Sequence, residues 1–158
     1  MKTYIFLTAL VIGIWTADVK AQTVLSQANR QYEMMAYTKA VELYEQALKE
    51  NLKDTSKVNA LIKLGHSYHQ LRDTPNAERI FRSLLSEGKT IPHNQANSYL
   101  YYAQALASNG KYDEAKEVYE RYNQAQQDDL RGKEFTKLYT NVGKLSKNAT
   151  SYTVEALD

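Results

Sequence analysis

The sequence predicts an all-α fold, three helical hairpins followed by one closing helix, and three observations predict it. The first is a spacing of small and aromatic residues in the stretch from Ala28 to Leu48, where Ala28, Tyr37, Ala40, Tyr44 and Ala47 stand in an order that returns twice further on. Ala40, Ala77 and Ala115 mark the recurrence, at intervals of 37 and 38 residues. The second is composition: two prolines and six glycines against thirteen tyrosines suit helices joined through aromatic contacts. The third is a final amphipathic stretch with no partner hairpin after it.

Taken in order, the chain opens with Met1-Lys2, an apolar run from Tyr4 to Trp15, and Val19-Lys20-Ala21, small residues at the two positions a signal peptidase reads. A membrane span needs about 18–20 apolar residues, and this run stops short of that. The expectation is an export signal over residues 1–21, with cleavage after Ala21 and a mature chain starting at Gln22. From Thr23 to Met35 a helix carries Leu25, Ala28, Tyr32 and Met35 at helical spacing, and from Tyr37 to Asn51 a second carries Ala40, Val41, Tyr44, Ala47 and Leu48. Polar residues 52–56 then break the pattern, and Asp54, Thr55 or Ser56 is expected to cap the next helix. The second hairpin holds Leu61, Leu64, Gly65, Tyr68, Ala77, Phe81 and Leu84, with Thr74 as expected N-cap ahead of Pro75 and Gly88 as C-terminal stop. A third begins around Pro92, turns at Asn109-Gly110-Lys111, and holds Tyr99, Tyr102, Ala103, Leu106, Tyr112, Ala115 and Tyr119.

Asp128 and Asp129 cap one more predicted helix, with Leu130, Phe135, Leu138, Tyr139, Val142 and Leu145 as an apolar stripe beside Lys133, Lys137, Lys144 and Lys147. A lone amphipathic helix is how a stack of hairpins keeps its last apolar face out of water. Tyr152, Val154 and Ala156 alternate with polar residues in the tail, a strand-like pattern, so residues 148–158 are taken as a linker or the start of a following domain.

These motifs resemble tetratricopeptide (TPR) repeats, with units at about 22–54, 58–91 and 96–129 and a cap helix at about 129–147 inside a domain of residues 22–147. The resemblance implies a right-handed superhelical stack whose concave face binds another protein. The sequence departs from the pattern at Met35, where a turn glycine is usual, and at Tyr102 and Tyr122, where leucine and alanine are usual. The export signal, repeats, cap helix and SYTVEALD tail together also resemble the N-terminal region of OmpA-family cell-envelope proteins of the Bacteroidetes type. That second resemblance implies a periplasmic, outer-membrane-associated scaffold, with peptidoglycan contact only through a domain outside this chain. The alternative is the periplasmic sensing region of a TPR-containing membrane receptor kinase.

The same repeat construction puts Asn29, Tyr32, Glu33, Asn59, Ile62, His66, His69, Gln70, Asn97, Leu100 and Gln104 on the partner-binding wall, which is nearly uncharged. Repeats that clamp a chaperone's carboxylate tail use lysines and arginine there, and this set is missing. The formal net charge of +2 with interspersed signs argues against nucleic acid. Cysteine is absent, which removes disulfides, thiolate metal sites and cysteine nucleophiles. His66 and His69 lie one helical turn apart without a third ligand in the local sequence, and no nucleophile motif occurs. The expectation is therefore no enzyme, no metal and no cofactor.

Overall fold

The computed structural model describes residues 20–50 and 52–148. The expectations for residues 1–19 and for the strand-like tail lie outside the described residues. Seven α-helices account for nearly all the rest: α1 (20–33), α2 (Tyr37–Leu48), α3 (Asp54–Gln70), α4 (Thr74–Ser86), α5 (Asn97–Ser108), α6 (Tyr112–Ala125) and α7 (Leu130–Asn148). A single 3-10 turn, His93–Gln95, precedes α5. No strand occurs among the described residues, and none of their helices is long and apolar enough to cross a membrane. The chain divides into two compact units, residues 1–90 and 91–158.

In the first unit α1 pairs with α2 and α3 with α4. The small residues that define the repeat lie where helices meet: Ala28, Ala40, Ala47 and Ala77 are wholly buried, and so are the aromatic rings of Tyr44 and Phe81. Each such ring removes enough apolar surface from water to stabilise the fold by about 1.5–3 kcal/mol. Gly65 is required by the ring it faces, because the three atoms nearest an added Cβ all belong to Phe81, at 2.8–3.0 Å. In the second unit α5 and α6 form the third hairpin with Ala103, Ala115 and Tyr119 fully buried, and α7 packs on α6. Tyr102 and Tyr122, at positions where smaller side chains are usual, are both buried.

The three hairpin turns are closed by one backbone device. Met35 (φ 58°), Arg72 (φ 61°) and Gly110 (φ 78°) adopt the left-handed conformation. In each turn the left-handed residue's N–H donates three residues back, Met35 to Tyr32, Arg72 to His69 and Gly110 to Ala107. The next N–H donates five residues back, Ala36 to Gln31, Asp73 to Tyr68 and Lys111 to Leu106, at 2.9–3.0 Å. This is the Schellman arrangement, which satisfies carbonyls that the helix end leaves open.

Two capping expectations are corrected. The cap of α4 is Asp73, whose carboxylate accepts the Asn76 N–H at 3.2 Å, and Thr74 is the first helical residue. The left-handed Arg72 brings Asp73, one residue early, to the place where its short carboxylate reaches the open amide. At α3 the N-cap is Lys53, with no side-chain cap bond, so Asp54 lies inside the first turn, where its charge favours the helix dipole. Asp129 caps α7 as expected, accepting the Arg131 N–H at 2.9 Å, and Gly88 (φ 70°) ends the second hairpin.

Candidate functional site

The α1–α3 wall of the first unit is built around Tyr32. Its ring meets Tyr37, Tyr44 and His66 edge-on, with centroids 5.5–6.4 Å apart and interplanar angles of 61–74°. Lys63 Nζ lies 4.9 Å over the same ring. Edge-to-face packing sets the positive rim of one ring against the negative face of the next, and it leaves polar tips free to reach outward. The Tyr32 hydroxyl lies 2.6 Å from His66 Nδ1, and the Gln70 amide nitrogen lies 2.8 Å from His66 Nε2. With Gln70 donating to Nε2, the imidazole is neutral and its proton sits on Nδ1, donated to the Tyr32 hydroxyl oxygen.

Burial holds His66 below its usual range, to about 4, with neighbouring His69 acting in the same direction. Protonation of Nε2 would set a donor against the Gln70 amide nitrogen, so in acid the contact survives only if that amide turns its oxygen to the ring. Next to it, Lys63 donates to Asn29 Oδ1 at 3.1 Å and to Glu33 Oε1 at 3.0 Å, and the buried Tyr44 hydroxyl donates to the same Asn29 oxygen at 2.8 Å. Burial raises the Tyr44 phenol, with Tyr32 and Glu33 adding to the effect, so it stays a neutral donor.

The structure thus joins Asn29, Tyr32, Glu33, His66 and Gln70 into one network. Asn59 and half-exposed His69 also lie on α3. Two expected wall residues are corrected: Ile62 and Leu100 are each only 4% exposed and belong to the core. Their positions on α3 and α5 turn the apolar side chains inward, which costs no polar group and removes them from reach of a partner. In the second unit Asn97 is exposed and lies 3.4 Å from the Tyr122 hydroxyl that donates to it, and Gln104 is half-buried.

Sequence reasoning missed Lys63, which makes the wall less bare of charge than expected, although Glu33 answers it. The signal was available: Asn29 to Lys63 and Tyr32 to His66 share a separation of 34 residues. That is the 37-residue repeat less about one helical turn, the offset expected of helices packed side by side. It missed also a cleft of about 350 Å³ between α2, α3 and α4, floored by Leu48, Leu61, Leu64 and Ile80 and edged by Glu45, Lys57 and Arg79. At its border the Tyr68 hydroxyl donates to Glu45 at 2.6 Å, and burial together with that bond pushes the phenol up to about 12.

Comparison with known proteins bears on both units. Two models of the tetratricopeptide repeat match the sequence, one over residues 60–95 and the other over 96–135. No curated protein matches the chain by sequence. Among solved structures, the first TPR of Spaghetti (RPAP3) bound to the HSP90 peptide SRMEEVD is similar at a TM-score of 0.59 and 16% identity, covering 79% of this chain and 96% of that one. The TPR domain of P58(IPK) is similar at 0.65 and 22% identity, over 85% of this chain and 37% of its own. The Sgt2 TPR domain from Aspergillus fumigatus is similar at 0.58 and 17% identity, over 88% and 89%. At these identities the likeness is one of fold. Residues 60–135 thus carry tetratricopeptide-repeat sequence, and the chain has the tetratricopeptide-repeat fold.

Proposed function

We propose that this chain is an exported scaffold of the bacterial cell envelope that binds a protein partner through the α1–α3 wall, as the N-terminal part of a larger OmpA-like outer-membrane-associated protein. Tetratricopeptide repeats imply a protein-interaction scaffold, and the observation that carries the siting is the Tyr32 cluster. An aromatic ring half-exposed at the centre of a prepaid network presents an anchor whose position is fixed before the partner arrives. The short positive start at Met1-Lys2, the apolar run and Val19-x-Ala21 support export, and the short SYTVEALD tail supports the OmpA-like setting.

One solved neighbour holds the HSP90 peptide SRMEEVD, which carries three side-chain carboxylates in its last four residues. In this chain the single cation of the wall, Lys63, is already held by Glu33 and Asn29. The preferred segment is therefore less acidic than that peptide, an extended or helical stretch with an apolar or hydrogen-bonding side chain to set against the Tyr32 ring. Binding through such a surface changes little with salt.

The test is site-specific photo-crosslinking in cells from positions 32, 66 and 70, compared with Glu42 on α2 and Arg82 on α4, both exposed. Adducts to one envelope protein from the first set alone are expected, together with a recovered chain that begins at Gln22. Adducts arising only from Glu42 and Arg82 would overturn the siting, and an intact Met1 in the envelope fraction would overturn the export reading. Tyr32→Phe, which loses only the hydroxyl, should weaken binding by about 1 kcal/mol.

A further inference from the structure

The apolar stripe of α7 turns out to be two stripes. Phe135 and Tyr139 face α6, where they stack on Tyr119 at 5.2 and 5.5 Å between centroids. Leu130, Leu138 and Leu145 lie on the adjoining arc of the helix and are 64%, 51% and 68% exposed. The remaining large apolar side chains exposed among the described residues, Met34, Met35 and Leu71, sit at hairpin turns and form no row on a helix. At 100° per residue the three leucines fall within an arc of about 80°, and their row runs for roughly 22 Å along the helix.

Charge accompanies the row. Lys137 and Lys144 each precede a leucine of the row by one residue, at the same seven-residue interval as Leu138 and Leu145, and Lys133 lies on the same flank. All three lysines are exposed. Leu138 and Leu145 stand one heptad apart with a charged flank in step, which is one half of a helix seam, the half whose flank selects the partner. Glu134 and Asn141 fall between the leucines on the same arc, which makes the apolar strip too narrow and too interrupted for burial among acyl chains. An antiparallel second copy of the chain is disfavoured as well, because that pairing would set lysine flank against lysine flank.

We propose that the outer face of α7 is a second docking site, distinct from the α1–α3 wall, and that its occupant is an acidic amphipathic helix of another protein: apolar residues on its seam, glutamates or aspartates on the flank that meets Lys133, Lys137 and Lys144. The leucines supply the buried area and the lysines the choice of partner and the rate of encounter. Binding here weakens as salt is raised, unlike binding at the wall.

The experiment titrates the full chain with two synthetic helical peptides as long as α7, identical at their leucine seam, one flanked by glutamates and the other by lysines. Vesicles of phosphatidylcholine and phosphatidylglycerol in equal parts, and sedimentation of the chain alone, are run beside them. The glutamate peptide should bind and the lysine peptide should not. Leu138→Asp with Leu145→Asp should lower the affinity by roughly tenfold or more. Lys137→Glu with Lys144→Glu should exchange the preference between peptides, and because both positions are exposed this variant keeps its helicity. Equal binding of both peptides, or a preference unmoved by the charge reversal, overturns the proposal. Vesicle binding abolished by the leucine substitutions replaces it with a membrane surface, and concentration-dependent self-association replaces it with a dimer.

Discussion

Helices α3 and α7 each receive the aromatic face of the helices before them, and they receive it in opposite ways. At α3 the rings of Tyr32 and Tyr37 stand edge-on to His66, at 61° and 83°. At α7 the rings of Tyr112, Tyr119, Phe135 and Tyr139 lie nearly parallel, at 10–25°. Edge-on rings present polar atoms to the surface, where Tyr32, His66, Gln70 and Lys63 exchange hydrogen bonds. Parallel rings seal the contact, and burial beside Tyr139 raises the Tyr119 phenol well above its usual range. One junction is left in a condition to be read by a partner; the other is closed, and its helix can be used only from outside.

The largest way to break this contrast is to empty the stack. Tyr119→Ala removes a wholly buried ring that two others lie against, and a loss of about 3–5 kcal/mol is expected from the urea midpoint of the full chain. A loss near that of a surface tyrosine would mean that α7 is not held by stacking. Next comes Gly65→Ala, which drives a Cβ against the Phe81 ring and should cost about 1–3 kcal/mol through overpacking. The double variant with Phe81→Leu should recover part of it.

A pH titration sharpens the contrast, because only the α3 junction contains a histidine. The folded His66 is lowered to about 4 from an ordinary 6.5, so the unfolded chain binds more protons between those values. Its contribution is present above about 6.5 and is lost as pH falls toward about 4, amounting to about 1–2 kcal/mol once partial exposure is discounted. The imidazole resonances of His66 should move near pH 4, and His66→Gln should flatten this part of the stability curve. Affinity for the partner at the α1–α3 wall should fall in the same window, below the pH of about 6.5 at which an ordinary histidine titrates. The smallest effect is expected at a turn. Met35→Gly relieves a left-handed conformation that costs a non-glycine residue about 1 kcal/mol, and the net gain in stability should be about 0.5–1 kcal/mol.

Much of the fold was legible in the sequence because it rests on residues with one physical solution. Ala28, Ala40, Ala77 and Ala115 could serve only as close contacts, and Tyr44, Phe81 and Tyr119 at fixed spacing from them could serve only as fillers. The wall was legible in part. Tyr32 and His66 were placed on it, but their partnership, and that of Lys63 with Glu33, depends on the offset between two helices, which no single helix encodes. Ile62 and Leu100 were misplaced because a wall position one residue from the core is decided by helix rotation. The division of α7 into an inner and an outer stripe likewise needed the position of α6, since leucines and aromatics alternate along one apolar pattern.

The left-handed turns carry a last consequence, for how such a chain can change length. From Ala28 to Ala40, from Gly65 to Ala77 and from Ala103 to Ala115 the count is the same twelve residues, and each span contains its left-handed residue at the same place, Met35, Arg72 or Gly110. The surplus that brings the period to 37 and 38 falls outside those spans, in residues 49–53 and 87–96. A residue inserted inside a span would rotate every later contact of that helix by about 100°. One inserted in a junction loop adds only a loop-closure entropy of about 0.6 kcal/mol per doubling of its length. Chains of this kind therefore grow by whole hairpins or by their junctions, and grafting a new segment for display or for partner selection belongs at residues 49–53 or 87–90, where both hairpins of the first unit would keep their count.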